Sequence, residues 1–217
     1  MLKRVPQQGR SRVMVETILA AATRVLNTRP LDSVSTNDVS ALAGISIGSL
    51  YQYFDSKQAI IESLLERHQN ESINLANDVF VQSGQAPIAV RYRAVLRELL
   101  ALHERHRMLH LNFMQFANTG PVFAASGPGA EHASRVACAF AVEFAHLTEA
   151  QCRLHAQVLM HTVHTLVHGA IALNVPDRDQ MVIRHFDAFA SSYQSAIESS
   201  VPLNLAADHR QLHGRRE

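Results

Sequence analysis

Residues 35–57 read STNDVSALAGISIGSLYQYFDSK, and this stretch decides the fold of the N-terminal part of the chain. Ser35 is followed three residues later by Asp38, a capping-box spacing that predicts a helix beginning after Ser35. Gly44 suits the left-handed backbone that ends such a helix, and Ser46 is a favourable N-cap for a second one. Two helices joined by so tight a turn cross steeply, so the stretch predicts a helix-turn-helix.

The second predicted helix, from Ile47 to about Tyr53, has an outward face of small, hydroxyl and amide side chains. Leu50 and Phe54 are four residues apart and are expected to face the core. The outward face suits base edges and phosphates in a DNA major groove. The alternative is an ordinary surface helix that covers a small core, since helix-turn-helix spacing also occurs by chance.

Residues 43–60, AGISIGSLYQYFDSKQAI, resemble the DNA-binding signature of the TetR (tetracycline-repressor-type) family of bacterial regulators, A-G-V-S-x-G-x-L/I-Y-x-Y/H-F-x-x-K-x-x-L. The resemblance covers about residues 13–65, and beyond them only the length and helical character agree. It implies a helix-turn-helix head that binds double-stranded DNA, a helical body that binds a small-molecule effector, and a homodimer.

The resemblance also implies DNA-contact roles for particular residues. The start of the first helix would touch phosphate, the second helix would face bases or the adjacent backbone, and the last two residues would clamp the backbone. These residues are Thr36, Asn37, Ser46, Ile47, Ser49, Tyr51, Gln52, Tyr53 and Lys57. Because the recognition helix has no Arg or Lys, it cannot make the strong Arg contact to guanine. Specificity is then expected from Gln52, hydroxyl groups, methyl contacts through Ile47, or DNA shape.

Positive charge is concentrated near the N-terminus, although the net charge of the 217 residues is only +1. Nucleic-acid binding by this chain must therefore be local. Residues 1–11 are polar and offer nothing to bury, which predicts a mobile arm. Arg10 and Arg12 are placed to reach phosphates or a minor groove, and a solvated tail is the alternative.

Composition narrows the class of protein. No apolar run is long enough to cross a membrane and no signal-peptide pattern follows the basic start, so we expect a cytoplasmic protein. Cys138 and Cys152 do not form a C-x-x-C pair and are expected to be reduced thiols. No segment alternates as a strand does, so the periodicity predicts an all-α fold of about nine helices.

The chain is predicted to have four parts. We expect an arm and helix-turn-helix domain at residues 1–55, a connecting helix at 56–83, a ligand-binding and dimerisation domain at 84–201, and a disordered tail at 202–217. The connecting helix is the natural mechanical link between head and body. The predicted body helices are Ile88 to about Glu104, Arg107 to about Ala117, Ala130 to Leu147, Glu149 to about Leu173, and Asp177 to about Ser199, with a loop at 118–129.

The body contains more large apolar side chains than one helical layer needs. The resemblance implies that some of them line a pocket for an apolar or aromatic ligand, and core packing is the alternative for each. The pocket candidates are Tyr92, Phe113, Met114, Phe116, Phe140, Phe144, Met160 and His164.

The last two predicted helices have extensive apolar faces, which could pack against each other and the body. The resemblance implies instead a four-helix interface with a second copy of the chain. The interface candidates are Leu159, Val163, Leu166, Val167, Phe186, Phe189 and Tyr193. Two-fold symmetry would then present two recognition helices to palindromic half-sites about 34 Å, or a multiple of it, apart.

Six of the thirteen histidines recur at helical spacing in two clusters: His103, His106 and His110, and His161, His164 and His168. Three imidazoles on one face could bind zinc or another transition metal, and a haem ligand is conceivable. Neither cluster contains H-E-x-x-H, and a polar flank beside an apolar stripe explains the same pattern. We therefore assign no metal ligand, no cofactor and no catalytic residue.

The sequence predicts a DNA-binding transcriptional regulator rather than an enzyme. In the family it resembles, such a protein is usually a repressor that binds a palindromic operator as a homodimer and is released by a small ligand. One alternative is a metal- or haem-responsive DNA-binding sensor that uses the histidine clusters. Another is a helical enzyme, against which stands only the lack of a recognisable nucleophile, metal or cofactor motif.

Overall fold

The computed structural model describes residues 9–116, 128–173 and 175–200, without the side chain of Arg10. Within these ranges the chain forms nine α-helices and a short 3-10 turn, which confirms the predicted all-α fold. The helices are α1 (Gly9–Leu26), α2 (Thr36–Ala43), α3 (Ile47–Tyr51), α4 (Lys57–Gln82), α5 (Ile88–Arg105), α6 (Arg107–Phe116), α7 (Pro128–Glu143), α8 (Glu149–Ala172) and α9 (Arg178–Ser199). None of them combines the length and the apolar character that a membrane span requires.

Two clusters of buried side chains form the cores of a head and a body. The head core joins α1, α2, α3 and the first turns of α4 around Ile18, Leu50 and Phe54, each 0% exposed. The body core joins the rest of α4 with α5, α7, α8 and α9. Helix α6 lies between the body helices α5 and α7 in sequence, but its Leu109 and Phe113 pack in the head core. The head is therefore attached to the body through both α4 and α6.

Several helix ends differ from the sequence prediction by a few residues. Helix α3 ends at Tyr51, and α7 begins at Pro128, inside the predicted loop. Proline suits the first position of a helix because its missing N–H would have no helical partner there. The sequence predicts an arm at residues 1–11, but residues 9–11 already belong to α1, so that part of the prediction is wrong. Residues 1–8, 117–127 and 201–217 lie outside the described residues.

The eight pocket candidates do not meet in one place. Phe113 and Phe116 belong to the head core because α6 turns its apolar face toward α1. The body core contains Tyr92, Phe140, Phe144 and Met160. Met114 is half-buried, and His164 is half-buried next to other histidines.

Most of the predicted interface residues are buried inside the chain itself. Leu159, Val163, Val167 and Phe186 are at most 3% exposed, and they pack in the body core. Leu166, Phe189 and Tyr193 are partly buried against the same core. Core packing thus accounts for the four buried residues, and an interface with a second copy of the chain stays a prediction.

Candidate nucleic-acid interface

The helix-turn-helix is built by local hydrogen bonds that the sequence predicts. The side chain of Ser35 accepts from the amide of Asp38 at 3.2 Å, and Asp38 Oδ2 accepts from the amide of Ser35 at 2.8 Å. Gly44 ends α2 with φ of +69°, in the left-handed region that favours glycine. Ser46 Oγ then accepts from the amide of Ser49 at 3.0 Å and caps α3. Both helices therefore begin at capping residues.

An ion pair connects this motif to the end of α1. Arg29 lies 3.0 Å from the carboxylate of Asp38. Hydrogen bonds from Ser35, and then the contact with Arg29, hold the pKa of Asp38 well below its usual value. The carboxylate is consequently ionised across the physiological pH range and keeps the start of α2 oriented on α1.

The outer side of α3 presents a mixed apolar and polar surface. Ile47 is 37% exposed, Tyr51 is 43% exposed, and Gln52 is also exposed. Tyr51 Oη lies 3.1 Å from Thr36 Oγ1, which brings the start of α2 next to this surface. On the opposite side Leu50 is fully buried and holds the helix on the head core.

The remaining predicted contact residues differ in their placement. Asn37 and Ser46 are exposed, Ser49 is half-buried, and Tyr53 is partly buried against the head core. Arg12 is exposed on α1, whereas the side chain of Arg10 lies outside the described part of the chain.

Lys57 is engaged within the head. Its Nζ donates hydrogen bonds to the carbonyl oxygens of Leu31 at 3.1 Å and Val34 at 3.0 Å, in the segment between α1 and α2. An ammonium group has three N–H donors, so one more is left for another acceptor. The spacing along the chain gave no indication of these two bonds, because they join residues 23 and 26 positions apart.

Other cations of the head also have partners inside the chain. Besides the pair of Arg29 with Asp38, Arg67 lies 2.6 Å from Glu16 and ties α4 to α1. Two arginines of the head are therefore balanced by neighbouring carboxylates. The surface around α3 relies on polar and apolar groups rather than on a dense cationic patch.

Sequence and structure comparisons agree on one family. A sequence model described as "Bacterial regulatory proteins, tetR family" matches residues 18–64. The HTH-type transcriptional regulator EthR of Mycobacterium tuberculosis is 44% identical over 55 residues, which are 25% of this chain and 26% of EthR. The alignment thus spans about a quarter of that relative.

Residues 18–64 therefore carry the N-terminal part of the TetR family. A TetR variant from Acinetobacter baumannii, solved in complex with minocycline, superposes with a TM-score of 0.62 at 16% identity, covering 91% of this chain and 100% of that one. A TetR-family regulator from Streptomyces coelicolor gives 0.56 at 22% identity, covering 85% of this chain and 99% of that one. Identities this low establish the shared fold, including the body, and nothing more specific.

Within this TetR fold, Asn112 of α6 forms a polar joint with the head that sequence reasoning missed. Its side-chain amide donates to the carbonyl oxygens of Leu26 at 2.8 Å and Arg29 at 3.0 Å. Its Oδ1 accepts from the amide of Leu31 at 2.9 Å. The side chain is only 3% exposed. The sequence feature that could have predicted this contact is a polar Asn on the buried side of an apolar helix.

Histidines from four helices of the TetR body meet behind the head. His68 of α4, His103 of α5, His110 of α6 and His168 of α8 lie ring to ring, with centroid distances of 4.8 Å between the first two and 4.6 Å between the last two. The tilted ring of His164 packs against that of His168, with centroids 3.8 Å apart. The two predicted clusters thus merge into one, which we call the junction cluster.

His106 and His161 make other contacts. His106 Nδ1 lies 3.2 Å from the side-chain amide of Asn27, and His161 is exposed on α8, where its Nδ1 lies 2.8 Å from the carbonyl oxygen of Gln157. Sequence reasoning also missed His68. His68 lies four residues after the buried Leu64, on the same face of α4. This spacing could have predicted that His68 is buried.

Proposed function

We propose that this TetR-family chain regulates transcription by binding double-stranded DNA with α3 and the residues around it. The observation that carries the proposal is the exposed surface of Ile47, Tyr51 and Gln52, mounted on the fully buried Leu50. Exposed groups of this kind on an otherwise anchored short helix have little structural use. They fit the major groove, where amide and hydroxyl groups reach base edges and methyl groups contact thymine.

DNA binding by this surface would depend on few charged side chains. The phosphate contacts would come from Thr36, Asn37, Tyr53, the third N–H of Lys57, and the arginines before and within α1. Each neutralised phosphate steepens the salt dependence of binding, so a modest slope is expected for each half-site. Operator binding implies that the protein works in the cytoplasm, where bacterial DNA lies.

A homodimer would place two heads on one palindromic operator. Exposed residues at helical spacing support this proposal: Leu154, Val158, His161, Thr165 and Gly169 on α8, and Met181, His185, Ala188, Ser192 and Ser195 on α9. We call them the outer stripes. They combine apolar groups with small side chains, which allow helices to approach closely. A two-fold axis through these stripes would set the two copies of α3 about 34 Å, or a multiple of it, apart.

A small apolar effector would act on the body. A gap of about 20 Å³ lies between α5, α7, α8 and α9, and Phe140, Phe144, Leu159 and Tyr193 are among its lining residues. This is room for about one water molecule, so an effector must push these helices apart. The Acinetobacter baumannii TetR variant of the same fold was solved in complex with minocycline, which supports a small-molecule effector. A repressor would leave DNA if this opening moved the two heads to an unsuitable separation.

Selection of genomic fragments by the purified protein, followed by binding measurements on the recovered site, tests the proposal. Recovery of a palindromic site bound by a dimer is expected, and recovery of random fragments would contradict it. The Gln52→Ala variant should change the ranking among operators with single base changes by about 1–3 kcal/mol at one position. The matched control Gln69→Ala, exposed on α4 well beyond the head, should leave the ranking unchanged.

A further inference from the structure

The junction cluster contains three imidazoles arranged as metal ligands. His68, His103 and His110 each offer a ring nitrogen, and these nitrogens all lie within 4.8 Å of one another. His68 Nε2 and His110 Nδ1 are 3.1 Å apart. We infer that these three histidines form a binding site for a divalent transition-metal ion of the Zn²⁺ class.

The distances are close to those of a metal site. Zn–N bonds of 2.0–2.1 Å in a tetrahedral arrangement place ligand nitrogens roughly 3.3 Å apart. The shortest separation already meets this value, and the longest must shorten by about 1.5 Å, within reach of small rotations of an imidazole ring. One of the two rings donates the hydrogen bond between His68 Nε2 and His110 Nδ1. When the ion binds, the N–H proton of that donor ring moves to the other nitrogen of the same ring, so that both facing nitrogens can bind the ion.

Two of the ligands are prepared for this role by their surroundings. His103 Nδ1 donates to the carbonyl oxygen of Leu99 at 2.6 Å, so its Nε2 carries the lone pair. A second hydrogen bond of this kind is what orients metal-bound histidines in proteins. His110 is 2% exposed, and its Nδ1 faces His68, so an ion between the two rings would bind that nitrogen.

The cluster is neutral and therefore able to accept a cation. Burial, and then neighbouring imidazoles, lower the pKa of His68 to about 3. Burial lowers the pKa of His103 to about 4, and lowers those of His110 and His168. Neutral imidazole is the form that binds metals. His168, with its ring centroid 4.6 Å from that of His110, is the nearest candidate for a fourth ligand.

The donor set selects the kind of ion. Three imidazoles suit Zn²⁺, Co²⁺, Ni²⁺ or Cu²⁺, whereas Mg²⁺ and Ca²⁺ require oxygen ligands. A haem does not fit, because the rings of His103 and His110 are already in contact, with centroids 4.2 Å apart. The site would therefore hold a bare ion.

An ion at this position would tie three helices together behind the head. His68 lies on α4, which continues from the helix-turn-helix, and His110 lies on α6, which packs in the head core. Shortening the distance between them would change the angle at which the head leaves the body. This effect on DNA rests on the proposed function, whereas ion binding itself does not.

Metal binding is tested on the full chain without an affinity tag, after treatment with EDTA. Co²⁺ should give the visible absorption of a tetrahedral nitrogen site, and competition with a chromogenic chelator should show one Zn²⁺ per chain. Because second-shell changes alone cost 10–100-fold in affinity, His68→Gln and His103→Gln should each weaken Zn²⁺ binding by more than about 100-fold. Mg²⁺ should not compete.

The control variant is His106→Gln. His106 belongs to the same predicted cluster as His103 and His110, but its Nδ1 lies next to the side-chain amide of Asn27. Its Zn²⁺ affinity should stay within about threefold of that of the unchanged chain, a window well below the 10–100-fold loss caused by second-shell changes. Circular dichroism checks that each variant is folded, and Zn²⁺ should raise the melting temperature of the unchanged chain but not of His68→Gln. Equal affinities in all four proteins, or absence of stoichiometric binding, would overturn the site.

The link to DNA is measured separately, on the selected operator. Zn²⁺ should change operator affinity by about 5-fold or more, as is usual for coupled sites, and His68→Gln should abolish this change. Zn²⁺ binding without any change in operator affinity would overturn the link and leave the ion site standing. A chain that binds Zn²⁺ but no DNA in either state would instead contradict the proposed function.

Discussion

The side chain of Asn112 donates a hydrogen bond to the main-chain oxygen of Leu26, at 2.8 Å, and so joins α6 to the last residue of α1. Two further bonds, to Arg29 and from Leu31, use the remaining capacity of the amide in the same turn. Main-chain groups at and just after the end of α1 thereby bond a side chain of α6. Any movement of α6 must either carry the head with it or break these bonds.

Replacing Asn112 with Leu keeps the volume and removes all three bonds. The free energy of unfolding should fall by about 3 kcal/mol or more, because buried main-chain groups lose their partners. Urea unfolding measures this change. The control Gln115→Ala removes an exposed side chain of the same helix, which bonds Asp32 at 3.2 Å, and should cost less than about 0.5 kcal/mol. Equal effects of the two variants would show that Asn112 is no anchor.

The turn of the helix-turn-helix allows a paired test of backbone conformation. Gly44 has φ of +69° and open space where a methyl group would be added, so Gly44→Ala should cost about 1–2 kcal/mol through conformation alone. Gly48 lies in α3 without positive φ, and an added Cβ would meet only Ser46 Oγ at 3.8 Å. Gly48→Ala should leave stability unchanged or raise it by up to about 1 kcal/mol. Thermal unfolding of the DNA-free chain distinguishes the two signs.

The local parts of this structure could be predicted from sequence, and the long-range parts could not. Ser35, Gly44 and Ser46 act on neighbours a few residues away, so spacing alone indicated the caps and the turn. His68 and His110 are 42 positions apart, and a helical row does not reveal which other helix it faces. For the same reason the apolar faces of α8 and α9 could not be assigned to the core or to a partner.

Lys57 combines a structural and a proposed binding role, and Lys57→Met separates them. The variant keeps the aliphatic stem but loses two charged hydrogen bonds to Leu31 and Val34, so the unfolding free energy should fall by about 2 kcal/mol. If the third N–H contacts a phosphate, operator affinity should also fall for all sequences, and the log–log salt slope should decrease by about one for each half-site. Lower stability with an unchanged slope would leave Lys57 a structural role only.

The outer stripes are tested by placing a charge on one of them. Val158 is 37% exposed on α8, and in a two-fold interface each copy of Val158→Arg would bring an unpaired cation into a desolvated contact. The dimer dissociation constant should rise by at least about 30-fold, the effect of losing an interface hot spot. Val142→Arg is the control, because Val142 is 77% exposed on α7, outside the stripes. Sedimentation analysis compares the two. A dimer that survives Val158→Arg but dissociates with Val142→Arg would place the interface on α7 instead.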